Sequence, residues 1–253
     1  MRTMVDPRTR PAPRWCHAST GLDDFAIITW SVDPARVEAL LPAGFEADVR
    51  NGAALISMVA FLDDRFFFRG APFVKVSCGQ VNYRAYARRG SERGVWFFGT
   101  SLDSRFVALP QFAWKMPWHR DHLHITSEWG EDLAAPSHCR AWRLDAEGGW
   151  GGGGVTLRGS GEVLDVPDGF TDAGEASRVV FDPFVGWYAR RDGSGIGRYS
   201  VWHEPLALER AIVDRARCDV FTNLGLVEDG QMPVWAGLQR RVMFDVHTPP
   251  VRA

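Results

Sequence analysis

The sequence predicts a mainly β fold of the α+β type, an antiparallel β barrel or sandwich with a few short helices. Three observations lead there. Short runs rich in β-branched and aromatic residues recur along the chain, separated by Gly, Pro and charged turns. Only two segments carry helical spacing, and both are brief. No internal repeat is present.

In chain order, residues 1–14 are rich in Pro and Arg and read as a flexible leader, with a single domain over 15–253. Phe25 to Trp30 (FAIITW) is a buried strand. Asp33 and Pro34 then supply a helix N-cap and first turn, Val37, Leu40 and Leu41 its apolar stripe, and Pro42 with Gly44 its stop. Ala53 to Phe61 returns to strand. Phe73 to Ala87 is extended, with Asn82, Arg84 and Tyr86 on one face and Val81, Tyr83 and Ala85 on the other. A polar turn leads into the apolar strand Val95 to Phe98. Further strands are expected at His122–Ser127, Cys139–Leu144, Gly154–Arg158, Val179–Phe181 and Arg240–Val246. Gly148 to Gly154 (GGWGGGG) is a loop or hairpin connection; a phosphate cradle would need a following helix, which the sequence lacks. Leu208, Ile212 and Val213 set a second helix over Pro205 to Asp214.

Composition excludes several function classes. With 253 residues, 45% hydrophobic and 24% charged, the chain has the make-up of a soluble globular protein. A net charge of −2 leaves no basic footprint for nucleic acid. No apolar run reaches the length of a membrane span, and the arginine-containing N-terminus lacks a signal-peptide core, so a cytoplasmic location is expected. Cys16, Cys78, Cys139 and Cys218 lie far apart with no CxxC pair, arguing against a cysteine zinc site or a disulfide framework. Lys75 and Lys115 are the only lysines, so amine chemistry has two candidates.

One stretch carries more than composition. Val81 to Pro110 gives a strand with Asn82, Arg84 and Tyr86, a charged turn, an apolar strand ending at Leu102-Asp103, and then Arg105 before Pro110. Ahead of it stand the Asp33 to Phe45 helix and turn, and Gly79-Gln80. After it come Tyr188 and His203-Glu204-Pro205. The order of these elements resembles the acetoacetate decarboxylase-like superfamily, in particular its uncharacterised YqjF-like branch. The resemblance implies that superfamily's β fold and an internal pocket. Related decarboxylases assemble into oligomers, which makes a homo-oligomer an option for this chain.

The decarboxylases place a Schiff-base lysine in a pair directly after the proline; here Gln111 and Phe112 follow Pro110. Their acidic residue before Gly-Gln falls at Ser77. Without a nucleophilic amine of lowered pKa the electron sink for a β-keto acid is missing, so acetoacetate decarboxylation is not expected. Lys115, a few residues on, is either a displaced amine among aromatic walls or a lysine whose stem lies on Trp114 or Trp118 with its ammonium in water. Lys75, flanked by Val74 and Val76, should be exposed.

Other constellations leave alternatives. His119, His122 and His124 have the number of imidazoles for a catalytic zinc but no evident carboxylate support, and surface histidines read equally from the pattern. His203 suits proton transfer, or is a structural histidine bonded to backbone. Asn82, Arg84 and Tyr86 line a pocket if their face points inward and are a solvated face if it points outward. Arg105 is an anion clamp or an ion-pair partner of Asp103.

The expected function is therefore an enzyme acting on a small or medium carbonyl- or carboxylate-bearing metabolite. It would use acid–base or enolate chemistry without a Schiff base, in a lyase, cyclase or isomerase step of secondary metabolism. Arg84, Tyr86, Tyr188, His203 and Lys115 are the catalytic candidates. Gln80, Asn82, Arg105, Trp96, Trp114 and Trp118 are the substrate-binding ones. No cofactor and no metal is expected. The alternative is a non-catalytic small-molecule-binding protein that kept the pocket after losing the lysine.

Overall fold

The computed structural model describes residues 10–130, 138–164, 166, 170–176, 179–180 and 184–253. In chain order the elements are β1 (Ala18–Val32), α1 (Pro34–Glu38), β2 (Glu46–Ala47), β3 (Val49–Arg50), β4 (Ala53–Phe68), β5 (Val76–Arg89) and β6 (Glu92–Leu102). A 3-10 turn at Arg105–Val107 leads to α2 (Ala108–Ala113), β7 (Trp118–Arg120), β8 (His122–Trp129), β9 (Cys139–Glu147) and β10 (Gly153–Val163). α3 (Ala173–Ala176), β11 (Val185–Ala189), β12 (Ile196–His203), β13 (Glu209–Cys218), α4 (Asp219–Asn223) and β14 (Trp235–Arg252) complete the chain.

Seven strands close on themselves in the order β1-β4-β5-β6-β11-β12-β14, with β14 pairing back to β1. The barrel is antiparallel except where β6 meets β11. From β14 a second run, β13-β10-β9-β8, continues outside the barrel. The outward faces of β1, β4 and β5 (Ile28, Ile56, Tyr83) pack on Trp142 and Leu144 of this outer layer and on Phe221 of α4. Leaving water contributes roughly 1.5–3 kcal/mol for each large apolar side chain so buried. A separate cluster fills part of the barrel interior, with Phe25, Ile27, Leu55 and Val59 at its centre. Among the described residues no helix is long and apolar enough to cross a membrane.

Local chemistry explains the first helix. Asp33 accepts from the Ala35 N–H at 2.9 Å, Pro34 opens the first turn, and Val37 is fully buried. Arg10 is tied to the barrel: its Nε donates to Asp245 at 2.8 Å and its guanidinium lies over Trp202. Residues 1–9 of the expected leader lie outside the described residues.

Three expectations change. Pro205 to Asp214 is not a helix: β13 starts at Glu209 and pairs with β10 on one side and β14 on the other. Ladder hydrogen bonds on both flanks outweigh a helical spacing of only three apolar residues. At Val179–Phe181, Val179 and Val180 form a helical turn, and Phe181 lies outside the described residues. β11 and β12 are additional strands, interrupted in sequence by Gly186 and Gly197. A Cβ at Gly186 would sit 2.7 Å from the Phe97 ring, and one at Gly197 would strike Tyr188, so close packing demands glycine at both. Gly148 to Gly154 joins β9 to β10 as a hairpin connection, as expected.

Candidate functional site

The barrel encloses a cavity of about 130 Å³ to which all seven of its strands contribute. The inward row of β5 runs Val76, Cys78, Gln80, Asn82, Arg84 along its length. Neighbouring walls are largely apolar: Leu22 and Phe25 from β1, Val59 and Phe61 from β4, Phe97 from β6, and Phe244 and Val246 from β14.

One end is shut. Behind Arg84, the Tyr86 hydroxyl meets the Ser57 hydroxyl at 2.8 Å, and Ser57 meets Thr29 at 2.7 Å, all fully or almost fully buried. The Val180 carbonyl covers this end, accepting from Tyr86 Oη and Arg84 Nη2, each at 3.2 Å. The opposite end carries an aromatic collar of half-buried side chains. Phe66 meets Phe106 with ring centroids 5.5 Å apart, Phe68 meets Trp114 at 6.1 Å, and Trp118 lies beside them on the cavity lining.

Two ionisable groups face the cavity from opposite ends. Arg84 has a buried Nε with no hydrogen-bond partner, and among the described residues no carboxylate pairs with it. Its guanidinium lies over the Tyr86 ring. Asp63 stands near the collar end, 7% exposed, accepting from the Thr20 hydroxyl at 2.9 Å. Burial pushes its carboxyl up to about 7, with the Thr20 hydrogen bond pulling the other way. Burial also raises the Cys78 thiol, helped by the charges of Asp63 and Asp103, so Cys78 is no thiolate nucleophile. Tyr199, on the wall, is likewise raised by burial, against an opposing effect of Arg84.

Between the poles lies a polar seam. Gln80 Nε2 donates to Asn82 Oδ1 at 3.0 Å, and the Thr100 hydroxyl donates to the same oxygen at 2.9 Å. The Asn82 carbonyl oxygen is thereby occupied. His203 also lines the cavity; it stacks on Phe244 with centroids 4.3 Å apart, and its Nδ1 lies 2.8 Å from the Glu204 carbonyl oxygen, which fixes that nitrogen as the donor.

The structure brings Gln80, Asn82, Arg84, Trp114, Trp118 and His203 to one cavity, with their face of β5 inward. The other expected residues stand elsewhere. Tyr86 points inward but is sealed behind Arg84. Tyr188 supports the collar from outside: its hydroxyl donates to the Trp114 carbonyl at 3.1 Å, and burial pushes it up to about 12. Trp96 alternates outward from Val95 and Phe97 and packs against Phe45, which also meets Trp187. Arg105 is exposed, while Asp103 accepts from the Gly79 N–H at 2.8 Å instead of pairing with it. Lys115, in a left-handed backbone conformation (φ 56°), turns its ammonium over the Phe112 ring at 4.8 Å, outside the cavity lining. At the positions of the decarboxylase lysine pair, the Gln111 amide donates to the Trp118 carbonyl and Phe112 is 80% exposed.

The three histidines do not converge. His119 stacks on Trp150 with centroids 4.4 Å apart, and His122 and His124 are exposed on β8. Among the described residues no three His, Cys, Asp or Glu side chains are placed to hold a metal ion.

Asp63, Thr20 and Tyr199 are cavity residues that sequence reasoning misses. The alternation Val59, Phe61, Asp63 carries the signal for the first, since the strand continues past Phe61 to Phe68. Tyr199 lies on β12, which the glycines conceal.

Comparison with known proteins adds the fold. Acetoacetate decarboxylase from Legionella pneumophila superposes with a TM-score of 0.56 at 12% identity, covering 100% of this chain and 96% of that one. An acetoacetate decarboxylase-like enzyme from Sphingomonas wittichii RW1 gives 0.54 at 11%, covering 96% and 93%. The enduracididine biosynthesis enzyme MppR, complexed with pyruvate, gives 0.56 at 12%, covering 94% and 88%. At these identities the likeness shows the fold, and the fold is the acetoacetate decarboxylase-like one. The uncharacterized protein YqjF of Bacillus subtilis (strain 168) is 30% identical over 89 residues, 34% of this chain and 37% of that protein, so the match spans little more than a third of the relative's length. A family described as an uncharacterized conserved protein (COG2071) matches over residues 19–238, and the chain belongs to this DUF2071 family, on the YqjF-like branch of the acetoacetate decarboxylase-like fold.

Proposed function

We propose that this protein is an enzyme that binds a small or medium carbonyl- and carboxylate-bearing metabolite inside its barrel and transforms it by acid–base or enolate chemistry without a Schiff base. The observation that carries the reading is Arg84: a guanidinium facing the cavity, with a buried, unpartnered Nε and no carboxylate among the described residues. A half-buried guanidinium with no counter-charge among the described residues pays a desolvation penalty, which an anionic ligand offsets. Guanidinium is suited to carboxylate, which it grips through paired N–H donors.

Asp63 favours a catalyst over a passive binder. A carboxyl brought to about 7 can take and return a proton near neutral pH, which simple binding does not require. A lyase, cyclase or isomerase step fits such a site. The solved neighbours are enzymes, and one of them, MppR, is described in complex with a keto acid, pyruvate. Schiff-base chemistry is not part of the proposal, because Lys115 stands off the cavity.

The test is calorimetric titration of the protein with a panel of keto acids and with the corresponding neutral ketones. Acids should bind and ketones should bind far more weakly, and Arg84→Met should remove the difference. Equal binding of acids and ketones to the natural protein would overturn the reading.

A further inference from the structure

Resting on the proposed reading of Arg84 as the anion-binding group, we infer that the substrate is an elongated oxo acid whose carbonyl lies remote from its carboxylate. The carboxylate sits on Arg84 at the closed end, an apolar chain follows the barrel walls, and the carbonyl meets Asp63 near the collar.

The geometry of the two poles carries this. In the β4–β5 ladder Arg84 stands opposite Ser57 and Asp63 opposite Cys78. The poles are thus six residues apart along either strand, roughly 20 Å of backbone at about 3.3 Å per residue. Arg84 does not lean back across that gap, because its Nη2 is bonded at the closed end to Val180. A compact acid such as pyruvate or acetoacetate can touch one pole but not both. The walls between them, Leu22, Phe25, Val59, Phe61 and Phe97, offer a chain of methylenes contact without polar cost. The order of the ends follows from which end is shut: a ligand entering through the collar leads with the group that Arg84 retains.

The chemistry assigned to Asp63 is reversible enolisation. Its carboxylate takes a proton from the carbon beside the remote carbonyl; the C–H bond breaks, an O–H bond forms on Asp63, and the electron pair moves into the carbonyl as an enolate. Return of the proton restores the substrate, and no oxidant or reductant is needed. Its burial-raised proton affinity, near neutrality, suits both directions.

The experiment uses the full chain and a series of methyl-ketone acids: acetoacetate, levulinate, and the homologues of eight, twelve and sixteen carbons with the oxo group next to the terminal methyl. Calorimetry should show affinity rising about fourfold with each added methylene until the chain spans the cavity. Arg84→Met should weaken every member by the same factor and leave that slope unchanged. In deuterated water, proton NMR should show exchange beside the carbonyl of the sixteen-carbon acid, lost in Asp63→Asn while binding is retained. If affinity is flat along the series yet still depends on Arg84, the elongated substrate is wrong and the proposed anion site stands. If no acid binds the natural protein, both fail. Exchange that persists in Asp63→Asn removes Asp63 from the chemistry.

Discussion

Asp63 and Arg84 face one cavity from adjacent strands, six ladder positions apart, one a carboxyl raised to about 7 and the other a guanidinium with no carboxylate partner among the described residues. Placed close together they would form an ion pair and silence each other. Their separation leaves each with an unmet electrostatic requirement, and each requirement has a measurable consequence.

The first concerns stability against pH. Folded, Asp63 holds its proton up to about pH 7, whereas an ordinary aspartate releases it near 3.8. Its folded pKa is raised, so its contribution is fully present below about pH 3.8 and is lost as pH rises through 7. The loss is on the order of 4 kcal/mol, since each pH unit between those two values costs about 1.4 kcal/mol. The groups acting on it are the burial itself and the Thr20 hydroxyl from β1; facing it across the ladder is the neutral Cys78 thiol of β5. Asp63→Asn should therefore be more stable than the natural protein at pH 8 by a few kcal/mol, with the gap closing toward pH 4. Urea unfolding at several pH values measures this. A gap independent of pH would show that Asp63 does not titrate across this range.

The second concerns the cation. Arg84→Met keeps a long side chain and removes from the barrel interior a charge whose desolvation no carboxylate among the described residues offsets. The unliganded variant should melt at the same temperature as the natural protein or higher, even though it gives up bonds to Val180 and Tyr86. Loss of ligand affinity together with retained stability is the pattern of a residue kept for binding. A destabilised variant would assign Arg84 a structural role instead.

A third outcome separates Tyr188 from the chemistry. Its hydroxyl is spent on the Trp114 carbonyl, which Arg190 also reaches. Tyr188→Phe should cost about 1 kcal/mol in denaturant unfolding and leave oxo-acid affinity unchanged. A large loss of turnover at unchanged affinity would contradict that assignment.

A fourth outcome concerns the amine and the histidines. Borohydride treatment with a keto acid should trap no adduct on Lys115, as mass analysis of the intact chain will reveal. His122→Ala should change neither metal content nor stability by more than about 0.5 kcal/mol, because the side chain is exposed on β8. A trapped adduct would return the lysine to the mechanism.

Much of the barrel is legible in the sequence because its strands obey simple alternation. Asn82 and Arg84 share a face, and that face is the cavity; the opposite face, with Val81 and Tyr83, is buried against the outer layer. Alternation cannot say which face is which, since both are buried. β13 reads as a helix because Leu208, Ile212 and Val213 fit a helical spacing, while its two ladders come from residues far away in sequence. Trp96 misleads for a related reason. An aromatic residue beside a motif looks like a pocket wall until Val95 and Phe97 are seen to take the inward positions.

Asp63 is hidden differently. It lies just past Phe61, where the expected strand ends, in the charged stretch Leu62-Asp63-Asp64-Arg65, yet β4 runs through it to Phe68 with a bulge between Asp63 and Phe66. Local composition points to solvent where the barrel imposes burial.

The most direct measurement is a crystal structure of the natural protein with the sixteen-carbon methyl-ketone acid bound. The expected result is a carboxylate on the Arg84 guanidinium, an extended chain along Val59 and Phe97, and the carbonyl end at Asp63. A carboxylate at the collar, or a ligand outside the barrel with the Arg84 Nε still unpartnered, would contradict the central claim.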